Sequence, residues 1–154
     1  MKRRRGVLFT ALVTLLLMGG AVVDSTSWAA SPKDVKKAKK KKVCKGCDLS
    51  GAVFIKANLG RKNFSKSNMK KADLSNATLK MAILNKVMLA GATLTGANMN
   101  GVTGKGVKGY GLNFSKVDLS YSNFSKADFA AADFRGAKVK GVDFSGADLS
   151  WTDF

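Results

Sequence analysis

From Leu49 to Phe154 every fifth residue is large and apolar, with one short interruption. Leu49, Phe54, Leu59, Phe64, Met69, Leu74, Leu79, Leu84, Leu89, Leu94 and Met99 form the first run. Phe114, Leu119, Phe124, Phe129, Phe134, Val139, Phe144, Leu149 and Phe154 continue it in the same register. Two positions before the large residue stands a small one, most often alanine, as at Ala52, Ala57, Ala72 and Ala132. A helix repeats every 3.6 residues and a strand every 2, so this spacing belongs to neither and marks an internal repeat. Within one unit the small residue and the large one two places on share a face, as in a strand, and the chain turns between units. Four units then close a square turn of about 20 residues, and successive turns pair backbone to backbone at about 4.8 Å. The large residues are the expected core, each burial contributing roughly 1.5–3 kcal/mol.

Units such as Cys47-Asp48-Leu49-Ser50-Gly51, Ala72-Asp73-Leu74-Ser75-Asn76 and Ala147-Asp148-Leu149-Ser150-Trp151 resemble the A-(D/N)-L-x-x consensus of pentapeptide-repeat proteins. The resemblance covers residues 47–154. It implies an all-β fold, a right-handed quadrilateral parallel β-helix of about five coils. It also implies a homodimer through the C-terminal coil, since family members often pair there. The Asp and Asn of the unit, among them Asp48, Asn58, Asn63, Asn68, Asp118, Asp128 and Asp133, read as turn and ladder residues rather than catalytic groups. Two departures stand out. Lys62 occupies a small inward slot, where an ammonium is costly to bury unless it reaches out to water or a partner. In residues 102–111 Gly104 and Gly109 take the large slot, while Val102, Val107 and Leu112 keep the other inward register. Either a glycine-rich loop breaks the coil there, or two thin sides persist with Tyr110 exposed or folded over the gap. The expectation is a mobile break at 102–111.

The N-terminal third is organised differently. Lys2, Arg3, Arg4 and Arg5 precede an apolar run, and Ser27-Trp28-Ala29 supplies small residues at a processing site. That is the layout of a secretory signal peptide, residues 1–29, with an uncleaved membrane anchor as the alternative. It predicts a periplasmic or extracellular protein. Residues 30–43 form a lysine-rich arm or linker before a β-helical domain at residues 44–154. The arm reads as solvated and poorly ordered, or as a frayed helix, because its charges repel and few apolar residues are available to pack. Lys36, Lys37, Lys39, Lys40, Lys41 and Lys42 make it a candidate electrostatic tether; a solubilising spacer is the plainer alternative.

Cys44 and Cys47 share the spacing of redox, zinc and haem-attachment motifs. Residue 48 is Asp rather than His, a second ligand pair is lacking, and no strand-to-helix setting for redox chemistry is visible. Counting back from Leu49 instead puts Cys44 in a large inward slot and Cys47 in a small one. Both then point into the first coil, and a disulfide closing the N-terminal end is the preferred reading, adding local rigidity more than loop entropy.

Charge narrows the functional classes. The chain carries 27 Lys plus Arg against 10 acidic residues, a formal net charge of +17, and no His. Folding at the 20-residue period stacks Lys66, Lys86 and Lys126 in one basic column, Lys56 and Lys116 in a second, and starts a third at Arg61. Met81, Ile83 and Met88 face outward. With no His and no nucleophile–base pair, an enzyme is disfavoured, and no cofactor, metal or small-molecule substrate is expected. The leading expectation is an exported, non-enzymatic structural or interaction module offering basic surface to an anionic envelope surface or a protein partner. The alternative is a nucleic-acid-binding or topoisomerase-interacting pentapeptide-repeat protein. The family's best-known activity, mimicry of duplex DNA toward DNA gyrase, needs an acidic surface in the cytosol. Both the charge and the export segment run against it.

Overall fold

A computed structural model describes residues 29–154. The expected signal peptide lies outside the described residues, apart from Ala29. Beyond one helix, α1 (Pro32–Lys40), the chain consists of turns joined by single-residue parallel bridges between residue i and residue i + 20. The series runs from Val43↔Asn63 to Asp133↔Asp153. Val43, Asp48, Val53 and Asn58 bridge downward before Asn63 begins the next level, so each turn of the chain has four bridged sides. One place is skipped: Thr93 and Asn113 are not bridged. It adjoins Leu112, a large side chain in a slot that, Lys62 apart, holds small ones elsewhere.

The unit around Leu49 accounts for every one of its backbone donors. In the first unit Leu49 N–H donates to Asn68 O of the next coil at 2.7 Å, and Gly51 N–H donates to Lys70 O at 2.8 Å. Asn68 N–H returns to Cys47 O at 2.9 Å, and Ala52 N–H closes the corner on Leu49 O at 3.1 Å. Ser50 N–H is left over, and it donates to Asp48 Oδ1 at 3.2 Å. The same short loop recurs from Ser65 to Asn63, Ser75 to Asp73, Ser120 to Asp118 and Ser150 to Asp148. Asp or Asn sits before the large residue because only a short side-chain acceptor satisfies that fifth N–H.

The large side chains fill the axis. Leu49, Phe54, Leu59, Phe64, Leu74, Leu79, Leu84, Leu89, Leu94, Phe114, Leu119, Phe124, Phe129 and Phe134 are all buried. Phe114, Phe134 and Phe154 stack nearly parallel with centroids 4.9 Å apart at each step, the spacing of the coils themselves. Phe144 and Leu149, in the last coil described, are only half-buried.

Residues 102–111 do not loop out of the coil; of the two arrangements the sequence left open, the continuous one is found. The bridges Ile83↔Thr103, Thr103↔Asn123, Met88↔Lys108 and Lys108↔Asp128 carry the ladder straight through. Two thin sides persist, with Tyr110 exposed. Their missing side chains are replaced from neighbouring units. A Cβ on Gly104 would lie 2.5 Å from Phe124 Cε1, and one on Gly109 would lie 2.7 Å from Leu112 Cδ1 and 2.9 Å from Phe129 Cε1. Phe124, Phe129 and the oversized Leu112 thus occupy the volume the two glycines vacate, so packing density is conserved.

The lysine-rich segment is also more ordered than a solvated arm. Pro32 starts α1, Ser31 Oγ accepts from Asp34 N–H at 3.4 Å, and basic residues sit in the last turn, matching the helix dipole. Asp34 Oδ2 accepts from Asp48 N–H at 3.0 Å, and Ser31 N–H donates to Asp48 O at 3.2 Å, so α1 is tied to the first coil. At its other end Lys62 Nζ donates to Ala38 O and Lys39 O at 2.6 and 2.7 Å. Burial pulls the Lys62 ammonium below its ordinary pKa, and the two carbonyls at the helix C-terminus compensate it. Ala38, on the inner face of α1, is fully buried and belongs to the same core cluster as the buried Cys44–Cys47 disulfide.

Two substitutions test this packing. Gly104→Leu restores the large residue typical of the slot, yet it is expected to lower stability by about 1–3 kcal/mol in chemical denaturation, because Phe124 already fills the space. Lys62→Met is expected to remove about 1–2 kcal/mol and to speed amide hydrogen exchange within α1, with little change in the distant coils.

Candidate functional site

Stacking at i + 20 converts sequence into corners, and one corner carries a column of three lysines. Lys66, Lys86 and Lys126 occupy the same turn position in successive levels, all exposed. That position requires a left-handed backbone, with φ of 63°, 57° and 59° at the three lysines. Glycine adopts this conformation freely, whereas a side chain there costs on the order of 1 kcal/mol. Gly106 holds the missing place in the column, between Lys86 and Lys126, with φ of 67°. Lys105 immediately precedes it, and Lys108 stands in the adjoining ladder position.

The gap is a real hollow. Asn85, Lys86, Lys105, Gly106, Lys108 and Lys126 line an open cavity of about 540 Å³. Lys86 Cγ lies 3.6 Å from where a Gly106 Cβ would stand, so lysine methylenes form part of its wall. Asn85 Oδ1 accepts from Lys105 N–H at 2.9 Å and fixes the loop beside it. No carboxylate lines the hollow. Outside it stand Asp128, the ladder partner of Lys108, and Asp143, which senses the charge of Lys105. The column Lys66, Lys86 and Lys126 is legible in the sequence at the 20-residue period. Lys105, Lys108 and the vacancy at Gly106 are not singled out by that column, although the same period places residue 106 between the two lysines.

The other predicted residues are dispersed. Lys36, Lys37, Lys39 and Lys40 on α1, with Lys41 and Lys42 just beyond it, are all exposed. Lys56 and Lys116 stand on a different corner. Cys44 and Cys47 are joined as a disulfide and buried. Among the described residues no group of His, Cys, Asp or Glu is arranged to hold a metal ion, and no helix is long and apolar enough to cross a membrane.

The aspartates serve the turns. The Ser75, Ser145 and Ser150 hydroxyls, with their N–H groups, hold Asp73, Asp143 and Asp148 below the usual carboxylate range. The Ser120 N–H does the same for Asp118. The Arg135 guanidinium, bonded to Asp133 at 2.8 and 2.9 Å, brings that carboxyl to about 2. None is raised toward neutrality, as a general acid requires.

Comparison with known proteins places this geometry. A family model for pentapeptide repeats matches 8 copies, over residues 47–85, 67–103 and 113–154. No curated protein matches the sequence. Among solved structures, HetL, a pentapeptide repeat protein involved in heterocyst differentiation regulation from the cyanobacterium Nostoc sp. strain PCC 7120, is 27% identical with a TM-score of 0.66. The match covers 68% of this chain and 50% of HetL, so the chain spans about half of that protein's length. The pentapeptide repeat protein Rfr23 from the cyanobacterium Cyanothece 51142 is 20% identical, with a TM-score of 0.46, over 79% of this chain and 97% of its own. QnrB1, a plasmid-mediated fluoroquinolone resistance protein, is 20% identical in a trypsin-treated variant, with a TM-score of 0.48, over 73% of this chain and 67% of its own.

The turn carboxylates generate a pH prediction. Their folded-state pKa values lie below the unfolded one, so the unfolded chain takes up protons first as the solution is acidified. Their stabilisation is therefore complete above the model-peptide value of 3.8 and lost as pH falls through the folded values, about 2 for Asp133. The denaturant midpoint is expected to stay level from pH 7 to about pH 5 and to fall between about pH 4 and 2. Asp133→Asn, which keeps the turn acceptor, is expected to flatten part of that decline.

Proposed function

The chain belongs to the pentapeptide-repeat family, whose fold is a right-handed β-helix, and on that premise we propose that it is an exported, non-enzymatic interaction module. Its rod of about five coils and its lysine-rich N-terminal segment present positive charge to an anionic surface outside the cytosol. One observation carries this reading: exposed lysines on one corner of the rod lack carboxylate partners. Lys66, Lys86 and Lys126 have no ion pair among the described residues. Each is held at a turn position where glycine is the less strained choice. The six lysines from Lys36 to Lys42 add a second basic face on and just after α1. Because α1 is docked on the first coil by Asp34 and Lys62, that charge is displayed at a set place on the rod rather than on a loose arm. The half-open face of Phe144 and Leu149, beside the exposed Phe154, is where a second copy stacks in this reading.

The test is co-sedimentation with vesicles rich in phosphatidylglycerol, against neutral vesicles, at about 100 mM salt. The full chain is expected to bind the anionic vesicles alone. Replacing Lys36, Lys37, Lys39 and Lys40 by Gln leaves Ala38 and the helix contacts intact. It is expected to weaken binding at least tenfold, since each lysine near such a surface contributes about 1 kcal/mol. Equal binding to neutral and anionic vesicles removes the proposal. Binding unchanged in the Gln variant reduces the helix to a spacer and leaves the corner column as the contact.

A further inference from the structure

We propose that the hollow at Gly106 is a seat for a dianionic phosphate group, a phosphomonoester or the end of an oligophosphate, held by Lys86, Lys105, Lys108 and Lys126. This rests on the basic-surface reading and narrows it to one place and one ligand chemistry. The column supplies the first argument. At the equivalent turn position Lys86 stands one coil before and Lys126 one coil after, whereas nothing projects from Gly106. Lys86 and Lys126 therefore flank this place, with the Lys86 methylenes against Gly106. Lys105 and Lys108 close the remaining flanks from the turn and the ladder.

Size and charge supply the second argument. A cavity of about 540 Å³ falls in the range of small-ligand sites, roughly 300–1,000 Å³, and exceeds what a single counter-ion fills. Four lysines line it, and no carboxylate is among the lining residues. Asp128 and Asp143 touch the set only from outside, through the ladder beside Lys108 and the field of Lys105. Like charges gathered this closely repel, and a group bearing more than one negative charge relieves that repulsion better than a carboxylate or a phosphodiester. Lysine binds phosphate as a point charge on a flexible stem, so four of them can converge on one group without the fixed fork of arginine. Gly106 N–H is already spent on Ser125 O at 2.9 Å, so the ammonium groups rather than the backbone hold the ligand.

The decisive variant is Gly106→Lys. Lysine already sits at this position at Lys86 and Lys126, with φ of 57° and 59° against 67° at Gly106, so the fold accommodates it. Its Cβ would meet Lys86 Cγ at 3.6 Å, an ordinary contact. The substitution raises the positive charge and fills the seat, so general electrostatic attraction and specific seating change in opposite directions. Sodium tripolyphosphate is titrated calorimetrically into the full chain and the variant. Both are also sedimented with vesicles containing phosphatidic acid or, at matched surface charge, phosphatidylglycerol. The full chain is expected to bind tripolyphosphate, or to prefer phosphatidic acid. Gly106→Lys is expected to weaken that at least tenfold, with binding to phosphatidylglycerol undiminished. Loss of tripolyphosphate binding identifies a soluble phosphate as the ligand; loss confined to the phosphatidic acid preference identifies a lipid headgroup. The double variant Lys105→Ala with Lys108→Ala is expected to show the same loss, and Lys56→Ala with Lys116→Ala, on another corner, none. Tripolyphosphate or phosphatidic acid binding that is unchanged or tighter in Gly106→Lys, or absent from the full chain, overturns the seat. Retained phosphatidylglycerol binding in that case leaves the basic-surface reading standing; its absence removes both.

Discussion

The hydrogen-bonded register of i to i + 20 is the constraint from which the rest of this structure follows. A side is tied to the next level by three backbone bonds, as Leu49 N–H to Asn68 O, Gly51 N–H to Lys70 O and Asn68 N–H to Cys47 O show, so a coil is held by its neighbours. A residue cannot slip without breaking four sides at once. The turn bonds and the Asp or Asn side chains take up the backbone groups the ladder leaves over. With the ladder and turn donors satisfied locally or by the adjacent level, the interior is left to apolar side chains, chiefly Leu and Phe. Phe114, Phe134 and Phe154 show the consequence most directly, since their rings stack at the same 4.9 Å interval as the backbone.

A register this strict forces compensation in volume rather than in backbone. At Gly104 and Gly109 the chain keeps its path and the neighbouring side chains move in: Phe124 and Phe129 from the coil below, and Leu112 from the slot beside. Beside Leu112, which stands in a small slot, the ladder skips one place, and Thr93 and Asn113 are not bridged to each other. The N-terminal end follows the same logic. Lys62, whose length and charge suit no inward slot, reaches the last carbonyls of α1 and turns a misfit into a helix cap. The disulfide and Ala38 complete the cover over the first coil.

The register also decides what the exterior can present. A rod whose levels repeat every 20 residues displays any recurrent turn residue as a straight column, and a single omission in that column becomes a hollow with matched walls. The lysine corner with its vacancy at Gly106 is such a case. Its chemistry is that of point charges on a rigid frame, suited to recognising anions and lacking a poised acid, base or nucleophile. The turn carboxylates, drawn below their ordinary pKa by serine and arginine donors, are committed to holding corners.

The five-residue spacing by itself determined the coil, the inward slots, the core residues and the lysine column, because a periodic chain has one way to bury a periodic apolar face. It also indicated that Cys44 and Cys47 point inward, since both fall on inward positions. Tertiary packing alone decided the rest. Whether residues 102–111 would loop out depended on rings twenty residues away in sequence, which no local reading of glycine content could supply. The order of α1 depended on Asp48 and Lys62 meeting its two ends, a contact between segments with no shared pattern. And the hollow at Gly106 exists only because Lys86, Lys105, Lys108 and Lys126, up to forty residues apart in sequence, are brought to one corner by the stacking of three coils.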